Sequence, residues 1–275
     1  MIVISPDGLL FRLVTADDLQ ILFWRGLFGA AALALYLQFS RPGGLIAGFR
    51  HSGWPVVVSA LLMTAGTTFF VLSITRTTVA NTLVILATMP LFGALLGRLF
   101  LGQRVRLTTW LAIGVALSGI LVIFAEALGA GDLVGNLYAL GAALCLASNL
   151  VLIRARPSVS MLPALALSGV ITAAIMLPFI APFAVSAHDL GIMAIMGVVQ
   201  QSLAFGMFLT AGRYLPPAET SLFALLETVL GPFWAWLGVG EVPAGSVLLG
   251  GLLVVATLAV HSALRLRRVR PQPAR

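Results

Sequence analysis

Nine apolar stretches of about twenty residues each follow one another along the chain. They lie at 19–39, 54–74, 79–101, 109–125, 134–154, 163–183, 190–211, 216–239 and 245–264. At a helical rise of about 1.5 Å per residue, each stretch is long enough to cross a hydrocarbon layer about 30 Å thick. The linkers between them are too short to hold a soluble domain. The sequence therefore predicts an all-helical polytopic membrane protein with nine full spans.

Composition excludes the other broad classes of protein. Of 275 residues, 60% are hydrophobic and only 9% are charged, too few charges for a soluble fold to cover its apolar surface. The net charge of +7 lies in short loops and the tail, without a basic patch that would indicate nucleic acid. The histidines, the single cysteine and the glycines form no metal-ligand, redox or phosphate-binding motif, so no cofactor or metal and no enzyme activity is expected.

The loop charges predict the orientation of the spans. One set of loops carries Arg41, Arg50, Arg104, Arg106, Arg154, Arg156, Arg213 and the group Arg265, Arg267, Arg268 and Arg270. The opposite set carries Asp17, Asp18, Glu126, Asp132, Asp189 and Glu241, with Arg76 as the main exception. Because arginine and lysine mark the cytoplasmic side, we expect an inner (plasma) membrane protein with its acidic loops outside. Residues 265–275 then form a basic cytoplasmic tail.

An internal repeat divides the chain into two halves. A shift of 138 residues places 80–103 on 218–241, and both blocks precede a short loop and one final span. The shift also pairs 134–154 with a helix that ends near Arg12, so residues 1–14 are interpreted as the end of a truncated first helix. We expect a ten-helix parent with two inverted five-helix repeats, at 1–125 and 134–264, joined by an extracytoplasmic linker at 126–133. Inverted repeats of this kind build transporters with a central site between the repeats.

Three motifs carry a family resemblance. The first is the block NTLVILATMPLFGALLGRLFLGQR at 81–104, which has small residues, a central proline and a Leu-Gly ending. The second is its repeated copy, which carries Leu226-Glu227 and Gly240-Glu241. The third is FWRGLFGA, which surrounds Arg25. Together they resemble the EamA-type branch of the drug/metabolite transporter superfamily. The resemblance implies transport of a small solute, with export favoured. The chain departs from the family pattern at Gln103, where a glutamate is usual, and at Thr228, where a proline is usual.

Glu227 is the strongest candidate for a functional residue, because it lies near the middle of an apolar span. A carboxylate at bilayer centre costs at least about 2.5 kcal/mol, so it usually faces a cavity or a partner. Trp234 shares its helical face, and Pro232 leaves the carbonyl of Thr228 without its helical donor. Two interpretations stay open: a ligand or proton site, and a glutamate that only holds a kink between helices.

Five further polar residues in apolar spans are candidates to line a central substrate-binding cavity. They are Arg25, Asn81, Thr88, Gln200 and Gln201. Arg25 has three possible roles, which are binding a substrate carboxylate, pairing with Glu227 and reaching the outer headgroups. Asn81 and Thr88 belong to the counterpart of the Glu227 helix, near a second kink at Pro90, or they serve only as interhelical hydrogen bonds. The glutamines have no partner in lipid, so at least one is expected to point inward.

The sequence thus predicts a secondary transporter that moves a small organic solute by alternating access within the lipid bilayer. Amino acids, other metabolites and drug-like compounds all stay open as substrates, as does a homodimer, and protons as the coupling ion rest on Glu227 alone. The alternative is a membrane-embedded structural or assembly subunit with no substrate. An apolar centre would favour that alternative, whereas Glu227, Arg25 and the glutamines argue against it.

Overall fold

The computed structural model is built of helices throughout the residues it describes. These are residues 3–40, 53–102, 133–211 and 230–268, together with 111, 114–115, 118–119 and 227. The helices of the first half are α1 (Asp7–Leu13), α2 (Asp18–Ser40), α3 (Trp54–Ile74), α4 (Val79–Leu86) and α5 (Met89–Leu101). Those of the second half are α6 (Leu133–Ala155), α7 (Leu162–Met176), α8 (Ala187–Ile195), α9 (Phe205–Ala211), α10 (Leu230–Val239) and α11 (Gly245–Arg268).

Six helical segments in the described part of the chain are long and apolar enough to cross a membrane. They are Asp18–Ser40, Trp54–Ile74, Val79–Leu101, Leu133–Ala155, Leu162–Phe179 and Ala187–Thr210. Five of them follow the predicted spans closely. The segment Leu162–Phe179 ends earlier than its predicted span, 163–183. Helix α11 begins where the last span was predicted. The span predicted at 109–125 and the first part of that at 216–239 lie outside the described residues, so the count of nine stays a prediction.

Helices α2, α3, α6 and α7 form the centre of the bundle. Helix α2 packs against α7 and against the segment 196–204, while α3 packs against α6 and α7. Close approach of α2 and α7 depends on glycine, since a Cβ on Gly26 would lie 2.9 Å from the carbonyl oxygen of Gly169. Two apolar clusters fill the spaces between these helices, one around Ile21 and Val71 and the other around Met63 and Ala164.

Two of the described spans depart from regular α-helix in the middle of their length. The span Val79–Leu101 is interrupted at 87–88, where α4 ends and α5 begins. Pro90 has no N–H to continue the hydrogen-bond ladder from α4, which accounts for a break at this point. Between α8 and α9 the chain forms a π-helix, Met196–Ala204, which the sequence did not predict. Short π-helical segments inside α-helices often occur at functional sites.

Charged and hydroxyl groups pair at one end of the bundle, which we call the acidic end, where α1 and α10 finish and α2, α4 and α8 begin. Nε of Arg12 lies 2.7 Å from Oε2 of Glu241, and Nη1 of Arg76 lies 2.9 Å from Oδ2 of Asp18. The Arg76–Asp18 pair explains the exception in the loop-charge pattern, because the arginine is matched by an acid of the same end.

Candidate functional site

A buried ion pair joins the first two helices. Arg25 of α2 donates from Nη2 to Oδ2 of Asp7 at 2.9 Å. The two residues are 8% and 4% exposed, and the guanidinium also lies over the ring of Phe11, 5.2 Å from its centroid. Arg25 therefore does not reach the headgroups, and its described carboxylate partner is Asp7 rather than the Glu227 considered from the sequence.

The π-helix brings Gln200 to this pair. With its amide oriented to satisfy both groups, Gln200 donates to Oδ1 of Asp7 and accepts the backbone N–H of Asp7 at 3.1 Å. The π-helix can approach because Gly197 has no side chain: a Cβ there would lie 2.6 Å from the carbonyl oxygen of Arg25. The hydroxyl of Ser202 adds a contact to the carbonyl oxygen of Gly29 at 2.8 Å.

Gln201, the neighbour of Gln200, is also buried, and its side chain lies against Gly29 of α2. Its carbonyl oxygen Oε1 has no hydrogen-bond donor within the described part of the chain. We expected at least one of the two glutamines to point inward. Both are buried in the bundle, and Gln200 is bonded to Asp7.

Glu227 is half-buried, and its charge interacts with those of Asp7 and Arg25. Trp234, seven residues later, donates from Nε1 to Oγ of Ser5 at 3.0 Å. Between them, Gly231 faces Leu83 and the carbonyl oxygen of Ser5. Helix α10, which carries Trp234, is therefore anchored beside the segment that leads into α1.

We call this site the Asp7–Arg25 cluster (Asp7, Arg25, Gln200 and Glu227). Its hydrogen-bond donors are not all paired within the described residues. Nε and Nη1 of Arg25 are buried and have no acceptor among the described residues. A buried donor without a partner costs about 1 to 3 kcal/mol, so such groups are usually bonded to a water molecule, an ion or a ligand. The cluster can therefore donate hydrogen bonds to an anionic oxygen from Nε and Nη1 of Arg25.

The other predicted residues lie apart from this cluster. Asn81 donates from Nδ2 to Oγ1 of Thr77 at 2.9 Å and to Oδ1 of Asn136 at 3.4 Å. Thr88 lies at the break between α4 and α5 and donates to the carbonyl oxygen of Ile85 at 2.6 Å. In the structure both side chains make the interhelical or local hydrogen bonds that were the alternative to a binding role.

The aromatic neighbours of Arg25 on its own helix are already engaged. Trp24 donates from Nε1 to the carbonyl oxygen of Pro182 at 3.0 Å and stacks on Phe28. The aromatic ring that contacts the guanidinium is instead Phe11 of α1. Among the described residues, no group of three or more His, Cys, Asp or Glu side chains is placed to hold a metal ion.

Asp7 is the residue of the cluster that sequence reasoning missed. Residues 1–14 were interpreted only as the end of a helix, so their single carboxylate was not weighed. A signal was available, because Asp7 lies in an apolar run five residues before Arg12. Its pairing with Arg25 depends on how α1 and α2 are arranged in space, which periodicity does not report.

Comparison with known proteins agrees with this architecture. A crystal structure of another protein superposes with a TM-score of 0.69 at 18% sequence identity, covering 98% of this chain and 95% of the other. A relative from Vibrio cholerae serotype O1, described as an uncharacterized transporter, is 31% identical over 112 residues, which span 38% of this chain and only 37% of the relative. The model of the EamA-like transporter family matches residues 8–125 and 133–263. The protein is thus a multi-pass membrane protein that belongs to the EamA-like transporter family, within the drug/metabolite transporter superfamily.

Proposed function

We propose that the protein is a secondary transporter that moves a small organic solute across the inner membrane by alternating access, in the direction of export. The observation that carries the proposal is the Asp7–Arg25 cluster, in which a buried guanidinium keeps two nitrogens without acceptors beside a second carboxylate, Glu227. Ionisable groups inside membrane bundles are costly and usually mark a substrate or ion pathway.

The arrangement of the helices supports two inverted repeats. The family model matches two segments, 8–125 and 133–263, whose limits lie close to the predicted repeats 1–125 and 134–264. Under the shift of 138 residues, α2 corresponds to α7, and α3 corresponds to the segment around the π-helix. The extensive contact of α2 with the π-helix therefore corresponds to that of α7 with α3. Both contacts are expected in a bundle built from related halves.

The chemistry of the cluster suits a polar small molecule. The guanidinium nitrogens Nε and Nη1 would donate to a carboxylate or another oxygen acceptor of the substrate. Glu227 would pair with an amino group of the substrate or carry a coupling proton. Amino acids, other metabolites and amphipathic drugs remain the candidate substrates, and Phe11 and Trp234 provide apolar surface beside the charged groups.

The test is uptake and counterflow in proteoliposomes with labelled amino acids and amphipathic cations, with and without a pH gradient. We expect saturable movement of at least one solute. This movement should be lost in Glu227→Gln and reduced at least about tenfold in Arg25→Lys. Displacement of a charged hydrogen bond changes a binding equilibrium by about that factor. Asp18→Asn is the control, because this acid of α2 is paired at the exposed end.

Two results would overturn parts of the proposal. Transport that keeps its rate and its response to the pH gradient in Glu227→Gln would remove the role of that residue. A folded protein that moves no solute of the panel would favour the non-transporting assembly subunit.

A further inference from the structure

Two polar links at the acidic end join the two halves of the chain. Arg12 donates from Nε to Oε2 of Glu241 at 2.7 Å, and Oε1 of the same glutamate accepts the backbone N–H of Val79 at 2.6 Å. At the second link, Thr15 donates from Oγ1 to Oδ2 of Asp189 at 2.8 Å. Arg12, Thr15 and Val79 belong to the first half of the chain, whereas Glu241 and Asp189 belong to the second.

We propose that Arg12, Thr15, Asp189 and Glu241 form a latch that holds the acidic end of the bundle closed and opens when the two halves separate there. This inference rests on the proposed function, since alternating access requires each end to open in turn. If the halves rock as units, contacts inside one half persist and contacts between halves break. Both links at the acidic end are contacts between the halves.

Glu241 is suited to this role by its connections. It joins the end of α10 to α1 through Arg12 and to the start of α4 through the N–H of Val79. Arg12 also donates from Nη2 to the carbonyl oxygen of Thr77 at 2.6 Å, in the turn just before α4. Loss of the Glu241 carboxylate would therefore release the end of α10 from both α1 and α4, while Arg12 would keep its contact with Thr77.

Exposure distinguishes the Arg12–Glu241 link of the latch from the buried Asp7–Arg25 pair. The side chains of Arg12 and Glu241 are 27% and 18% exposed, compared with 9% and 5% for Arg25 and Asp7. Water can solvate the partly exposed pair as it separates, so opening does not strand a bare charge in a low-dielectric interior. Its attraction is also weakened by salt, whereas that of the buried pair is affected less.

A reporter cysteine beneath the latch tests the proposal. Thr77→Cys, placed in a Cys145→Ala background, puts a single thiol at a residue that is 6% exposed and whose carbonyl oxygen contacts Arg12. The rate of labelling by a membrane-impermeant maleimide then measures opening of the acidic end. We expect Glu241→Gln to raise the rate about tenfold, the factor that loss of one charged hydrogen bond gives in an equilibrium. Asp189→Asn tests the second link and should raise the rate in the same direction.

The matched control is Asp18→Asn, which breaks an ion pair at the same end but within the first half, Arg76–Asp18, and leaves the Arg76 guanidinium over the ring of Tyr138 in the second half. It should leave the labelling rate unchanged, and exchanging the charges in Arg12→Glu with Glu241→Arg should restore part of the protection. An unchanged rate in both Glu241→Gln and Asp189→Asn, or an equal increase in Asp18→Asn, would overturn the latch. Labelling uses no substrate, so a protein that labels as expected but moves no solute would overturn the proposed function alone.

Discussion

Arg25 and Asp7 depend on each other, because each loses its partner in the buried ion pair when the other is removed. We expect Arg25→Ala and Asp7→Ala each to destabilise the protein by about 3 to 5 kcal/mol, the usual cost of breaking a buried ion pair by removing one partner. The double variant removes both charges and should be destabilised by less than the sum of the two single variants. Thermal unfolding of the four proteins in detergent gives the coupling energy.

The pair Arg76–Asp18 is the control for this cycle, since its side chains are 44% and 28% exposed. Exposed pairs contribute about 0 to 1 kcal/mol, so its single and double variants should unfold close to the parent protein. Strictly additive losses at Arg25 and Asp7 would show that the buried groups do not interact in the folded protein.

Individual residues were predictable from the sequence where a polar side chain interrupts an apolar run. Arg25, Gln200 and Glu227 were identified on that ground, and the structure brings Arg25 and Gln200 into contact with Asp7. Asn81 and Thr88 satisfied the same criterion, but their hydrogen bonds go to Thr77, Asn136 and Ile85. Sequence position shows that a polar group is unusual and does not show which neighbour satisfies it.

The elements of the fold were predictable as lengths and less so as geometry. The limits of α2, α3 and α6 follow from runs of apolar residues that match the thickness of a bilayer. The π-helix did not follow, because a change from i−4 to i−5 hydrogen bonds leaves composition and length unaltered. In the structure, the π-helix occurs where Gly197 packs against the main chain of Arg25 and Gly29.

The π-helix should be sensitive to any side chain at Gly197. An added Cβ would lie 2.6 Å from the carbonyl oxygen of Arg25 and 2.9 Å from the backbone nitrogen of Gly29, and main-chain atoms cannot move aside as a side chain can. We expect Gly197→Ala to destabilise the protein by about 1 to 3 kcal/mol, as overpacking does in other cores. The shift in the unfolding midpoint in detergent measures the effect.

Gly191→Ala, six residues earlier in the same span, is the matched control. A Cβ there meets no described atom within 4 Å, and alanine favours helix over glycine by up to about 1 kcal/mol. The control should therefore be neutral or slightly stabilising. Equal effects at the two positions would show that the close contact between the π-helix and α2 is absent in the membrane.

At the scale of the whole molecule, the charges of the loops predict which end faces the cytoplasm. The main exception, Arg76, is paired with Asp18 at the acidic end. The acidic end also holds Glu241 and Asp189, while Arg154 and Arg156 lie at the opposite end of α6. This separation of charge favours an acidic end outside the cell and a cytoplasmic C-terminus.

Fusions after residue 275 test that orientation. Green fluorescent protein folds in the cytoplasm and alkaline phosphatase is active only outside it, so we expect a fluorescent fusion with the first and an inactive one with the second. Arg76→Gln should give the same result, since its charge is matched within the acidic end. An active phosphatase fusion would reverse the orientation. It would place the latch of Arg12 and Glu241 on the cytoplasmic side, where it would close the entry rather than the exit of an exporter.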